Sequence, residues 1–306
     1  MNEKFIPDAL PLKICLVMVT YNRFDVLLQS IRAITEQTRP VDYFVIADNC
    51  STDGTVSKLT ELDIQTDIVE LKDNLGYAEG LFEGMQFALS KYRDIDLFWL
   101  MDDDSHPKQD TLSNLLNIKN KFPFQGLISV TGFIDTIWKG PVRFSNYKSK
   151  NARVKNSELH VFEVDHALID GALIDRTVVD EVGFPDGKFF MMCEDVEYCK
   201  RIKRAGYQIF LYDKELEMTR LHYGGGGRFT RSNLWRGYYG SRNHLLILKE
   251  YFSWKALITY AIRQSKYLMA SSLAKDRFYR IYLRLLGIVH GLQGKTGKTL
   301  DPKNFY

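Results

Sequence analysis

Cysteine is scarce and scattered: Cys15, Cys50, Cys193 and Cys199 form no C-x-x-C pair. That pattern argues against a disulfide framework and against a cysteine-based zinc site. Proline (8) and glycine (21) are too few in 306 residues for a fibrous or low-complexity chain. No apolar run reaches the roughly 18 residues that a membrane span requires. The stretch from Met1 to Lys13 has no secretory-type apolar segment, so a cytosolic location is expected. What remains is an ordinary globular composition, 45% hydrophobic and 26% charged, sized for one large domain or a domain with an appendage.

The net charge of +3 conceals an asymmetry. Residues 228–306 hold 15 Lys and Arg against 3 Asp and Glu, whereas residues 1–227 hold 26 against 35. The basic segment also carries 14 aromatic residues, unlike a disordered basic arm. An acidic body and a basic, apolar tail imply two jobs.

Short apolar runs at Ile14–Val19, Tyr43–Ala47, Ile68–Leu71 and Asp96–Met101 read as buried strands. Helical patterns separate them, one capped by Asp25 and closed by Pro40, another running to about Tyr92. This alternation predicts a mainly parallel α/β sheet flanked by helices. Further on, Leu127–Ile134 and Val161–Ile174 read as strands, Thr177–Val182 as a short helix and Gln208–Tyr212 as a strand. A loop through Phe189 enters a helix that ends near Gly206, and the glycines after Tyr223 mark a hinge-like boundary. Beyond it, His244–Ala270 and Lys275–Gly291 carry apolar residues at helical spacing.

Each polar cluster follows a strand, where ligands bind in open α/β sheets. Asp102-Asp-Asp104 ends the fourth strand; it reads either as a solvated helix cap or as a site where Asp102 and Asp104 grip one hard cation. Asp48-Asn-Cys-Ser-Thr-Asp-Gly-Thr55 is a turn with an N-cap, or a nucleoside contact through the Asp48 carboxylate. Thr20-Tyr21-Asn22 would form the opposite wall, with Tyr21 against a base. Glu194-Asp195 is either an acidic helix start or the proton acceptor of a reaction, and Glu197 pairs with Arg201 at i,i+4.

Val19-Thr-Tyr-Asn-Arg23, the Asp48–Thr55 cluster, Asn74-x-Gly76-x-x-x-Gly80, Asp102-Asp-Asp104 and Glu194-Asp-Val-Glu-Tyr-Cys-x-Arg201 occur in one order. In that order they resemble family 2 glycosyltransferases, inverting enzymes of the GT-A fold, over about residues 13–227. Trp99-Leu-Met-Asp-Asp-Asp104 is most similar to bacterial galactofuranosyltransferases. Related rhamnosyltransferases more often have Gln where this chain has Asp103. The resemblance implies a Rossmann-type catalytic domain over 1–227, with a nucleotide-sugar half at 13–104 and an acceptor half at 105–227. Residues 228–306 are then a helical C-terminal appendage.

The resemblance also implies roles. Thr20, Tyr21, Asn22, Arg23, Asp48, Asn74, Gly76, Asp102 and Asp103 would bind the nucleotide sugar. Asp102, Asp104 and His222 would hold Mn²⁺ or Mg²⁺; His106, beside the triplet, is the competing histidine. Asp195 would be the base and Glu194 its hydroxyl-binding neighbour, while Gly171, Trp138 and His166 would face the acceptor. The expected donor is UDP-galactofuranose, with UDP-hexopyranose and dTDP-rhamnose as alternatives. The expected acceptor is a glycan or lipid-linked glycan of a bacterial surface. A sugar nucleotidyltransferase would need a Gly-rich basic loop after the first strand, which Thr20–Asp25 does not supply. A non-catalytic binding module would not need Asp102, Asp104, Asp195 and His222 intact.

The tail admits two readings. Phe278, Ile281, Tyr282, Leu285, Ile288 and Val289 share one helical face, and Arg277, Arg280 and Arg284 a neighbouring one. Either the helices pack on the catalytic domain or a partner copy, or they lie on an anionic membrane at the inner face of the cell membrane. Nucleic acid is not expected, because the body is acidic and no nucleic-acid motif occurs.

Overall fold

The structure is a computed structural model that describes residues 12–130, 132–134, 142–143, 153–214, 217–220 and 234–305. The first half alternates strands and helices: β1 (Ile14–Thr20), α1 (Phe24–Thr35), β2 (Tyr43–Asp48), α2 (Thr55–Thr60), β3 (Asp67–Glu70), α3 (Tyr77–Lys91) and β4 (Leu97–Asp102). Then come β5 (Ser105–Pro107), α4 (Thr111–Lys121), β6 (Gly126–Val130), β7 (Gly132–Ile134), β8 (Val142–Arg143), β9 (Arg153–Asn156), β10 (Val161–Glu163) and β11 (Ala172–Asp175). After α5 (Arg176–Val182), α6 (Glu194–Arg204), β12 (Gln208–Tyr212) and β13 (Met218–Arg220), three helices close the chain: α7 (Leu234–Glu250), α8 (Trp254–Ser272) and α9 (Arg277–Leu292).

Nine strands form the main sheet in the order β3-β2-β1-β4-β11-β6-β12-β10-β9. The pairing makes β3, β2, β1 and β4 parallel, with β11 and β10 opposed to their neighbours, so the sheet is mainly parallel as the alternation predicts. A small sheet, β5-β13-β7-β8, flanks it.

β1 is apolar throughout because both its faces are covered. Cys15, Val17 and Val19 enter the core beneath α3, α5 and α6, while Ile14, Leu16 and Met18 enter the one beneath α1 and α4. α3 approaches β1 closely through Gly80 and Gly84, where a Cβ would stand 2.5 Å from Val19 and 2.6 Å from Val17.

Four local expectations change. Val161–Ile174 is two strands, β10 and β11, that are not neighbours in the sheet, and Leu127–Ile134 divides between the two sheets. The single helix expected over His244–Ala270 breaks at residues 251–253, where the Ser253 side chain accepts from the Ala256 amide (3.1 Å) and starts α8. Arg23, not Asp25, occupies the N-cap of α1, with Asp25 in the first turn. The glycines at 224–227 lie outside the described residues.

The C-terminal helices bury the wrong faces for ordinary packing. α9 turns Leu283, Arg284, Gly287 and Gly291 inward. A Cβ at Gly287 would stand 2.4 Å from the Tyr238 carbonyl oxygen of α7, so only glycine permits this crossing. Phe278, Tyr282, Leu285 and Val289, the apolar face, point outward. α8 repeats the inversion: it buries Gln264 and Ser271 and exposes Trp254, Ile258, Ile262 and Met269. Among the described residues no helix is long and apolar enough to cross a membrane. Arg284 also departs from its expected place: it is buried, with its guanidinium over the Tyr267 ring.

Candidate active site

The strand register assembles the site. Thr20 of β1 pairs with Asp48 of β2, and Val19 with Asp102 of β4, so the C-terminal ends of three adjacent parallel strands present Asp48, Thr20 and Asp102 side by side. No single strand specifies this; the shared register does.

The triplet divides its labour. Asp103 is fully buried, accepts from the Thr20 hydroxyl (2.8 Å) and pairs with Arg23. Burial raises its pKa well above the usual carboxylate range, and the Arg23 charge opposes that rise. Arg23 also reaches Asp102 (3.6 Å) and Asp104 (3.5 Å). Asp102 is held by its backbone, whose amide donates to Asp170 Oδ1 (2.8 Å). Asp170 in turn accepts from Ser105 and Arg220. Burial, with Asp102 alongside, pushes the Asp104 pKa up to about 6.

Across from the triplet, α6 begins with Glu194 and Asp195. Burial and the Asp195 charge push Glu194 up to about 8, and burial pushes Asp195 up to about 6. Asp195 Oδ1 accepts from the Val196 amide (2.7 Å). Arg201 closes the expected pair on Glu197 at 2.7 Å.

Two residues that sequence reasoning missed complete the constellation. Tyr77, at the start of α3, feels the charges of Asp102, Glu194 and Asp104. Arg236 of α7 faces Asp102, Glu194 and Asp104 as well. Tyr77 Oη, Asp104 Oδ1, Glu194 Oε2 and Arg236 Nε are all buried without a hydrogen-bond partner among the described residues. Such atoms are rare in native proteins, and a cluster of them marks a place shaped for a polar ligand. Tyr77 falls at an unspecified position of the Asn74–Gly80 motif and Arg236 in no motif, so only long-range packing reveals their roles.

The nucleoside-side candidates fall around the strand ends. Asp48 Oδ2 accepts from the Ser51 amide (2.8 Å), while its Oδ1 is buried with no partner among the described residues. Asn22 accepts from the Thr52 amide (2.6 Å) and so ties the first loop to the second. Tyr21 stands half-buried beside it. Asn74 Oδ1 accepts from the Gly76 amide (3.1 Å). Gly76 has φ +92°, and a Cβ there would stand 1.9 Å from the Phe190 carbonyl oxygen.

Of the acceptor-side candidates, Gly171 and His166 are among the described residues. Gly171 is buried, its amide donates to the Leu100 carbonyl (2.7 Å), and a Cβ there would stand 2.9 Å from the Met218 side chain. His166 sits among Asp165, Lys200, Arg263 and Lys203. Trp138 and His222 lie outside the described residues. His106 belongs to β5, paired with Thr219.

Asp102, Asp103 and Asp104 are the one group of metal-type ligands among the described residues, with ligand atoms within 4.8 Å of one another. Asp103 is committed to Arg23 and Thr20, which leaves Asp102 and Asp104. The partnerless Asp104 oxygen fits an oxygen-seeking divalent cation.

A family model, glycosyl transferase family 2, matches residues 15–183, more than half of the chain. Over 105 residues the chain is 33% identical to galactofuranosyltransferase GlfT1 of Mycolicibacterium smegmatis. Over 109 residues it is 34% identical to GlfT1 of Mycobacterium tuberculosis. The matched stretch spans about a third of this chain and about a third of those relatives' length. Crystal structures of S. aureus TarS 1–349 with UDP and with UDP-GlcNAc share the fold, at TM-scores of 0.55 and 0.54. Their sequence identities are 12% and 13%, and 92% and 93% of each chain is covered.

Arg23→Met would leave Asp103 buried without its cation, and the expected loss is on the order of 3 kcal/mol in urea unfolding. Adding Asp103→Asn should recover most of it. An additive double variant would show that the two residues do not act as a pair.

Proposed function

The chain belongs to glycosyl transferase family 2, and from that footing we propose that it transfers a sugar, with inversion, from a nucleotide donor to a glycan hydroxyl. The observation that carries the reading is the convergence of partnerless Tyr77, Asp104, Glu194 and Arg236 atoms at the ends of parallel strands. A cation, a hydroxyl donor and carboxylates around one spot suit a sugar diphosphate. UDP-galactofuranose is the favoured donor, supported by the GlfT1 relatives and the Asp102-Asp-Asp104 context. Asp48 Oδ1 would accept from a base N–H or ribose hydroxyl, and the Asn74–Gly76 turn would close the donor pocket.

Arg236 and Tyr77 would donate to diphosphate oxygens. Asp102 and Asp104, with His222 as the third expected ligand, would hold Mn²⁺ or Mg²⁺, which when bound offsets the charge of the leaving diphosphate. Asp195 takes the proton of the acceptor hydroxyl as that oxygen bonds to the anomeric carbon. The bond from that carbon to the diphosphate oxygen breaks, and its electron pair leaves with the diphosphate. Glu194, turned toward Asp102 and Arg236, stays protonated near neutrality and can donate to a sugar hydroxyl. Environments that drive two adjacent carboxyl groups apart in pKa assign them different roles.

The acceptor is proposed to be lipid-linked, with α8 and α9 lying on an anionic leaflet. Of the large hydrophobic side chains exposed among the described residues, all but Leu75 and Val154 lie between Phe252 and Leu292. Exposed Lys255, Lys266, Lys275 and Arg277 stand on the same two helices and the turn between them. Anionic headgroups complement that charge, whereas a second copy of the same face would repel it.

Three measurements test this reading. UDP binding followed by calorimetry should require Mn²⁺, disappear with EDTA and weaken in Asp104→Ala; metal-independent binding would overturn the metal assignment. Asp195→Asn should lower kcat by about 10²–10⁴, and wild-type kcat should be bell-shaped in pH. It should rise through about 6 as Asp195 loses its proton and fall through about 8 as Glu194 does. A flat profile across that window would reject both roles. Phosphatidylglycerol-containing vesicles should bind the protein at low salt and release it when Lys255, Lys266, Lys275 and Arg277 become Glu, each cation contributing about 1 kcal/mol. A wild type that ignores such vesicles would remove the membrane assignment.

A further inference from the structure

The loop that delivers α6 is built in an unusual way. Between the 3₁₀ turn Gly187–Phe189 and Glu194, Phe190, Met192 and Cys193 all adopt left-handed backbone angles, with φ of 57°, 73° and 74°. None of them is glycine. Side chains resist this region, and such a run persists only where the surroundings over-determine it.

The surroundings here are three successive residues of α7. The Asn243 side-chain amide donates to the carbonyls of Phe189 (2.8 Å), Met191 (2.9 Å) and Met192 (2.7 Å). Arg242 orients that amide by donating from Nε to Asn243 Oδ1 (2.7 Å), and its Nη2 reaches the Phe189 carbonyl (3.2 Å). His244 Nδ1 contacts Cys193 Sγ at 3.0 Å. Arg242 and Asn243 are fully buried, and the guanidinium is itself fixed on Gly297 O and Thr299 Oγ1, at 2.7 and 2.6 Å. On its opposite flank the loop touches Gly76, where no side chain would fit.

We propose that Asn243, oriented by Arg242, is a positioning residue: it holds the left-handed loop and thereby aims Asp195 at the acceptor hydroxyl. It touches no substrate. The inference rests on Asp195 being the base. It adds that α7, which already carries Arg236 into the site, also sets the aim of the base.

The test is UDP release from UDP-galactofuranose, compared among wild type, Asn243→Ala, Arg242→Lys and Asp195→Asn, with UDP affinity measured by calorimetry on each. The Asn243 variant should lose about 10²-fold in kcat, the scale of a small misplacement of a reacting group, with UDP affinity within twofold of wild type. Arg242→Lys should lose less, in the same direction and with the same split. A merely structural asparagine would lower stability and leave kcat per folded molecule unchanged, which overturns the proposal. Should Asn243→Ala not fold, Arg242→Lys decides: wild-type kcat in that variant overturns the positioning role, and a fall in kcat at constant UDP affinity upholds it. Undiminished turnover in Asp195→Asn would instead reject the base on which the inference stands.

Discussion

Asp103 is a carboxylate with no exposure to water, placed just past a strand that is apolar from Leu97 to Met101. An unpaired charge in that position would cost several kcal/mol, and the nearby chain is arranged to prevent it. Thr20 and Arg23 come from the end of β1, and Ser30 of α1 donates to the Asp103 carbonyl (2.6 Å). The loop after β1, the start of α1 and the end of β4 are thereby locked together. Asp102 and Asp104 flank this anchored residue at longer range from the same guanidinium, 3.6 and 3.5 Å, and one Asp104 oxygen has no hydrogen-bond partner among the described residues. The middle acid of the triplet thus ties three segments of the fold together.

How far the site could be read from residues alone depends on the range of the interaction. Strands β1, β2 and β4 were legible because two-sided burial makes each an apolar run, and the polar stops at Thr20, Asp48 and Asp102 fall where those strands end. The Glu197–Arg201 pair was legible because i,i+4 neighbours are fixed by helix geometry. Arg236, Tyr77 and the Arg242–Asn243 pair were not, since their partners lie far away in the chain and no periodicity records them.

The tail was half legible. Helical spacing located α9 and most of α8, though it ran α8 into the end of α7, and spacing cannot say which face turns inward. Convention assigns the apolar face to the core, and here the core side is taken by Gly287, Gly291, Gln264, Ser271 and a buried arginine. Small residues let α9 approach α7 so closely that backbone contact replaces side-chain packing. That frees the larger apolar residues for the surface, the arrangement expected of an interfacial helix pair.

The family match ends at residue 183, eleven positions before Glu194 and well before α7. The recognisable part of this protein is therefore smaller than its mechanical unit. A graft that moved only residues 15–183 onto another scaffold would carry the strand-end acids but leave behind Asp195 and the asparagine that grips its loop. Exchange of function between such chains would have to cross at the far end of α9, because a seam between α7 and α9 cuts their glycine contact and a seam between α6 and α7 parts Asn243 from the loop it holds.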